Sequence, residues 1–219
     1  MPRGTSHVLG IQQGATENAA VVEDLLQQLV ARGVRPEAKR LFVIDGAKAL
    51  RAAIYRVFGP QHPVQRCRNH KIRNVVERLP EEQKEQVKAA MRASYRLAAK
   101  EGIARLKKLA DWLEQEQPAA AASLREGLEE CFTINRLGLP PSQHRCLATT
   151  NLIESPQSGV RMRTRRVCRW RDAAMMQRWV AASFLATEKN FRRIMGWKDL
   201  WQLKAILEGQ QPATKQEVA

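Results

Sequence analysis

Two acids in the chain stand where chemistry could use them. Asp45 closes a short apolar run, Leu41 to Ile44 (LFVI), and is followed at once by Gly46 and an amphipathic stretch. A carboxylate at the carboxyl end of a buried strand sits where open α/β sheets place ligand-binding groups, and it can hold a divalent metal there. The same placement suits a turn former or helix cap. Glu154, in TTNLIES, lies just ahead of a run of arginines. Taken alone, a glutamate near a helix start reads as a surface acid that favours the helix dipole.

The basic residues are more telling. Arg161, Arg163, Arg165, Arg166, Arg169 and Arg171 follow one another with no acid among them. Such a segment cannot neutralise itself by i,i+4 pairing, and its natural counterions are phosphates. If the segment is helical, Arg161, Arg165 and Arg169 share one face while Val167 and Trp170 anchor the other side. The alternative is a solvated basic face. A second basic patch, QRCRNHKIRN, supplies Arg66, Arg68, Lys71 and Arg73 as further DNA-facing candidates. It also holds Cys67 and His70 in C-x-x-H spacing, two ligands where a structural zinc site needs four. His144 and Cys146 are possible additions; otherwise the pair reads as a buried strand-end cysteine and a histidine hydrogen-bonding near the sheet edge.

The elements that must position these groups follow from hydrophobic periodicity. His7 to Ile11 (HVLGI) is a strand candidate, and a helix begins near Asn18 with Val22, Leu25, Leu26 and Leu29 on one face. Leu41 to Ile44 is a second strand. A helix carrying Leu50, Ile54 and Val57 follows, closed by Gly59 and Pro60, and then a strand from Val64 to Cys67 and a helix with Ile72, Val75, Val76 and Leu79 inward. That alternation predicts an α/β core. From Pro80 to about Leu137 the strand signal gives way to alanine, leucine, lysine and glutamate, an all-helical block of about three helices broken by Gly138 to Pro141. Asp172 is placed to cap a helix whose apolar stripe is Met176, Trp179, Val180 and Phe184. The polar residues 208–219 read as a flexible tail.

Composition narrows the function class. The 219 residues carry 37 lysines and arginines against 22 acids, a net charge of +15, which points to a polyanionic partner. With 44% hydrophobic residues the chain is no disordered basic tail. No apolar run approaches the roughly 20 residues that span a bilayer, and the first residues, MPRGTSHVLG, lack the apolar centre of a signal peptide. A cytoplasmic protein without membrane contact, with Cys67, Cys131, Cys146 and Cys168 as reduced thiols, is the expectation.

Taken in order, LFVIDGAKALRAAI, VQRCRNHKIRNV, the helical block and TTNLIESPQSGVRMRTRRV resemble the DDE transposases of the Mutator-like group found in bacterial insertion sequences. The resemblance covers roughly residues 7 to 207 and implies a ribonuclease-H-like fold: a first part of the core over 1–79, an all-helical insertion over 80–148 and the rest of the core over 149–207. It implies that Asp45 is the second catalytic acid and Glu154 the third. Both would ligate Mg2+ or Mn2+ that drives cleavage and transfer of DNA strands. Cys67 and His70 match the family's C-x-x-H motif, whose role the sequence leaves open. The implied partner is double-stranded DNA, transposon ends and target alike, with a homo-oligomer and nucleoid association as further expectations. The family's first aspartate precedes the segment similar to HVLGI, and no acid precedes Glu17 here. The expectation is therefore a partial core with an incomplete triad, with a non-catalytic DNA-binding protein or inhibitor derived from a transposase as the alternative. Pro156 predicts a helix beginning near Ser155, with Glu154 at its mouth.

Overall fold

The structure, a computed structural model, describes residues 4–14 and 18–209. Its centre is a strand–helix–strand unit. The apolar run ahead of Asp45 forms β1 (Phe42–Ile44), and the segment before Cys67 forms β2 (Val64–Arg66). The two strands are parallel, with Phe42 opposite Val64 and Ile44 opposite Arg66. Parallel neighbours need a crossover, and α2 (Lys48–Phe58) supplies it. Before it comes α1 (Ala19–Ala31), whose first turn is capped by Asn18 accepting the Val21 N–H at 3.0 Å. The helices α1 and α2 pack together and close a core of Leu26, Ile44, Ala53, Ile54, Phe58 and Val64.

The residues after β2 are helical. The helix α3 (Arg68–Val76) leads into α4 (Glu81–Ser94), α5 (Ala99–Glu114) and α6 (Pro118–Arg125). A 3-10 turn (Glu129–Phe132) and the short α7 (Thr133–Arg136) complete this block. Phe132, Met91, Leu106, Leu113, Leu124 and Val75 form its interior, all at most 1% exposed. After α8 (Pro141–Leu147), the helices α9 (Asn151–Thr164) and α10 (Ala173–Glu188) lie against each other, and α11 (Leu200–Leu207) ends the described chain. A third cluster, Ile134, Leu139, Cys146 and Leu147 with Leu41, Leu203 and Ile206 against it, ties this C-terminal part to the start of β1.

One sequence expectation is overturned by the fold. His7 to Ile11 is not a strand: no ladder bond is made, Leu9 is 58% exposed, and its carbonyl accepts from the Arg32 guanidinium at 2.6 Å instead. Among the described residues the sheet thus has two strands, each of three residues. The helix after Asp172 forms as expected, its N-cap carboxylate accepting the Met175 N–H at 2.6 Å. Along its apolar stripe Val180 and Phe184 are half-buried, whereas Met176 and Trp179 are 39% and 43% exposed.

One glycine of the helical block is fixed by packing. A Cβ on Gly102, in α5, would lie 2.4 Å from Phe132 Cε1 and 2.6 Å from the Ser94 carbonyl oxygen. Gly→Ala in a helix interior ordinarily stabilises by roughly 0.5–1 kcal/mol, but overpacking against a backbone oxygen costs about 1–3 kcal/mol. Gly102→Ala is expected to lower the urea midpoint with an unchanged m-value.

Candidate functional site

A cavity of about 430 Å³ opens where β1, α3 and α9 meet, and Asp45, His70, Arg73, Thr150, Glu154 and Arg161 all line it. Asp45 is the first residue after β1. Its Oδ1 accepts the Ala47 N–H at 2.9 Å, so one oxygen shapes the strand-to-helix turn and the other is left for the cavity. Gly46 makes the turn possible: its φ is +109°, and a Cβ there would sit 2.3 Å from Arg66 Nε. One side chain thus both forms the turn and lines the cavity.

Glu154 arrives from far along the chain on the first turn of α9. The helix begins at Asn151, not near Ser155, and runs through Pro156. The proline ring removes the donor that the Leu152 carbonyl would otherwise meet, and Pro156 is buried. The carboxylate is oriented by Thr150, whose hydroxyl donates to Glu154 Oε1 at 2.6 Å. Thr150 missed notice in the sequence because glutamate stands one residue beyond the spacing of a capping box. The same threonine meets the C-x-x-H motif: its N–H donates to Cys67 Sγ at 3.4 Å and its Oγ1 lies 3.3 Å from His70 Nδ1. One ligand atom from each of Cys67, His70 and Glu154 lies within 4.8 Å of the others. His144 and Cys146 do not join them. His144 Nε2 instead meets the Leu139 carbonyl at 2.8 Å, and Cys146 packs in the third cluster.

The basic residues divide sharply by environment. Arg66, Arg68 and Lys71, expected on a DNA-facing patch, point inward and are 6%, 8% and 0% exposed. Arg66 bonds the Gly46 and Glu126 carbonyls and the Glu126 carboxylate. Arg68 donates to the Cys131 carbonyl at 2.9 Å and to Asn135, and it stacks over Tyr95. Lys71 Nζ donates to the Ser123 and Glu126 carbonyls at 2.6 and 2.5 Å. Arg66 at the end of β2 and Arg68 and Lys71 on α3 tie these elements to the end of the helical block, where the chain reversal leaves carbonyls without helical partners. Arg73, by contrast, is exposed and lines the cavity.

The arginine run is not one helical face either. The helix α9 stops at Thr164, so Arg161 lies on it, Arg165 caps it, and Arg166, Arg169 and Arg171 lie in the irregular connection to α10. Arg161, Arg165, Arg166, Arg169 and Arg171 are exposed. Arg163 is half-buried, donating to the Gly159 carbonyl at 3.1 Å and to Thr187 Oγ1 at 3.0 Å across the α9–α10 contact.

Burial, helped by nearby Arg66, lowers Lys71 from its usual 10.5 to about 8. The unfolded chain then holds more protons than the folded one between those values, so stability rises with pH through that interval. Burial acts oppositely on Cys131 and Tyr95, raising both, so the unfolded chain sheds their protons first above about pH 9 and stability falls again. A stability maximum near pH 9 is expected, with a gain of about 1 kcal/mol from pH 8 to 9. Lys71→Met should abolish the rise in denaturant midpoint over that step. A rise retained in the variant would assign it to another group.

No helix among the described residues is long and apolar enough to cross a membrane, and all four cysteines are free. In comparisons with known proteins, the family described as "Transposase, Mutator family" matches residues 1–194. The chain is 30% identical over 164 residues to the transposase for insertion sequence element IST2 of Acidithiobacillus ferrooxidans, covering 74% of this chain and 54% of that protein. It is 28% identical over 210 residues to the transposase for insertion sequence element ISRM5 of Rhizobium meliloti (strain 1021), covering 93% of this chain and 51% of that one. The chain thus spans about half the length of the curated relatives it matches. A match over most of the chain that includes the strand-end acid, the C-x-x-H segment and the glutamate helix leads to one conclusion: this chain belongs to the Mutator family of transposases.

Proposed function

We propose that the cavity between β1, α3 and α9 is the DNA strand-transfer site of an insertion-sequence transposase, in which Asp45 and Glu154 are two of its catalytic acids. The observation that carries this reading is that these two carboxylates, remote in sequence, line one cavity together with Arg73 and Arg161. A ribonuclease-H-like arrangement accounts for it, with the glutamate helix returning to the end of β1 after the helical block.

The donors fit Mg2+ or Mn2+. Each carboxylate has one oxygen held by a protein donor, Ala47 N–H or the Thr150 hydroxyl, and the other oxygen is the hard ligand these ions favour. Such ions, when bound, activate water or a 3′-hydroxyl and stabilise the leaving oxygen of a phosphodiester. The chain itself supplies positioning. Ala47 and Thr150 fix the two acids, while the guanidinium groups of Arg73 and Arg161 face the same cavity and can hold phosphate oxygens beside them. The exposed arginines from 165 to 171 extend that contact along the backbone of duplex DNA.

A second reading has an observation of its own. Among the described residues that line the cavity, Asp45 and Glu154 are the two acids, and a set of two leaves a two-metal site short of ligands and negative charge. A non-catalytic DNA-binding derivative that occupies transposon DNA fits that count. Strand-transfer assays on duplexes bearing the element's ends, with Mg2+ or Mn2+, separate the readings when run on the 219-residue chain and on a longer form matching its relatives' length. Metal-dependent transfer by the longer form and little by the shorter is the expected result. Transfer by neither would favour the binding protein, and robust transfer by the shorter would show that another group supplies the third ligand.

A further inference from the structure

Cys67 and His70, beside Glu154, bring a sulfur and an imidazole that strand transfer does not call for. Cys67 precedes α3 and His70 lies in its first turn, a spacing of three that puts both side chains toward the start of α9. His70 Nδ1 is 3.6 Å from Glu154 Oε1, and the Cys67 sulfur completes a triangle with every edge below 4.8 Å. Ligands of a tetrahedral zinc ion, with bonds of 2.0–2.3 Å, lie about 3.5 Å apart. The histidine–glutamate edge already has that length, and the sulfur edges need only a small closure. The surroundings suit metal ligation: Thr150 N–H points at the sulfur, and the Thr150 hydroxyl donates to Glu154 Oε1, the oxygen nearest His70. The sulfur itself is shielded from water, whereas the His70 and Glu154 side chains are 25% and 41% exposed. An ion can enter from the cavity and keep its fourth position open on that side.

We propose that Cys67, His70 and Glu154 form a site for a thiophilic divalent ion of the zinc class. A sulfur and an imidazole nitrogen select such an ion over Mg2+, whose preferred ligands are oxygens. Binding displaces the thiol proton of Cys67 to solvent, leaving a metal–thiolate bond. Because Glu154 belongs to both sites, an ion on its Oε1 neutralises its charge and weakens its hold on an ion shared with Asp45, a consequence that rests on the strand-transfer reading above. The C-x-x-H motif then acts as a metal-responsive brake on the acid beside it.

Cobalt(II) titration of the chelator-treated, reduced protein tests the site without reference to activity. One equivalent should produce visible bands of tetrahedral cobalt and a near-ultraviolet thiolate-to-cobalt band, both erased by zinc. Cys67→Ser should remove the thiolate band, while Cys168→Ser, at the exposed cysteine, should keep it. Since replacing a fully buried cysteine can disturb packing, Glu154→Gln serves as a second variant on a half-exposed side chain and should weaken cobalt binding at least tenfold. Asp45→Asn should leave the cobalt spectrum unchanged. Absence of the thiolate band, or its persistence in Cys67→Ser, overturns the site. For the shared glutamate, one equivalent of zinc should weaken Mn2+ binding, followed by electron paramagnetic resonance, in the parent and not in Cys67→Ser; unchanged Mn2+ affinity in the parent overturns the brake. A protein that binds no Mn2+ at all overturns the carboxylate reading and the brake with it, while the cobalt spectra still decide the thiolate site.

Discussion

Replacing Arg161, Arg165 and Arg169 together with alanine is expected to weaken binding to duplex DNA by roughly 10²–10³-fold near 0.1 M salt, and to do so equally on all sequences. Each lost phosphate contact removes about 0.9 from the slope of log affinity against log salt, so the slope should flatten by up to about three units. The structure supports the same variant for a different reason from the one the sequence offered. These arginines do not form a helical stripe: Arg161 lies in the last turn of α9, Arg165 caps it and Arg169 lies in the connection before α10, and all three are exposed. A connecting segment can drape along a phosphate backbone where a straight helix face touches it over a single turn. Arg163→Ala is the informative companion, because its guanidinium bonds Gly159 and Thr187 within the protein. It should change the salt slope little and loosen the α9–α10 contact instead. Filter binding or anisotropy across a salt series checks both, and a triple variant that binds as tightly as the parent would make the cluster a solvated face.

What could be read from the sequence was whatever rests on local chemistry. The LFVI run with its Asp-Gly ending gave away β1 and the turn, and Asn18 and Asp172 announced their helices because an Asx side chain ahead of an apolar repeat has a specific job at a helix start. What could not be read depends on partners distant along the chain. A basic patch looks the same whether its cations meet DNA or buried carbonyls, and the groups that drew Arg66 and Lys71 inward, Glu126 and the Ser123 carbonyl, lie in the helical block. HVLGI has the composition of a strand, but an apolar run pairs only where a ladder is offered, and here its Leu9 carbonyl finds Arg32. Pro156 argued for a late helix start, yet α9 begins at Asn151 and runs through it, with Pro156 buried. The site was half legible for the same reason. Asp45 and Glu154 stood out individually, whereas Thr150, which links the glutamate to Cys67 and His70, matters only once α9 is docked on the end of β2.

Asp45→Asn and Glu154→Gln are each expected to cut metal-dependent strand transfer by about 10³-fold or more, in whichever form of the protein transfers strands, equivalent to roughly 4 kcal/mol of transition-state stabilisation. The amides are chosen because they keep the local structure. An asparagine Oδ1 can still accept the Ala47 N–H that shapes the turn after β1, and a glutamine Oε1 can still accept from the Thr150 hydroxyl. Loss of activity then reports loss of negative charge and not collapse of the cavity, and an unchanged thermal transition verifies it. The double variant carries the decisive information. If the two acids hold ions for one in-line displacement, either substitution alone disables the unit, and combining them should cost little more than one. If they act separately, the losses should multiply to about 10⁶-fold. Mn2+ binding gives a parallel measure on the 219-residue chain itself: each single variant should weaken it at least tenfold, and the double should add little. Near-parental Mn2+ affinity in both single variants, with strand transfer intact, would remove Asp45 and Glu154 from the chemistry and leave their meeting in one cavity a consequence of how α9 docks.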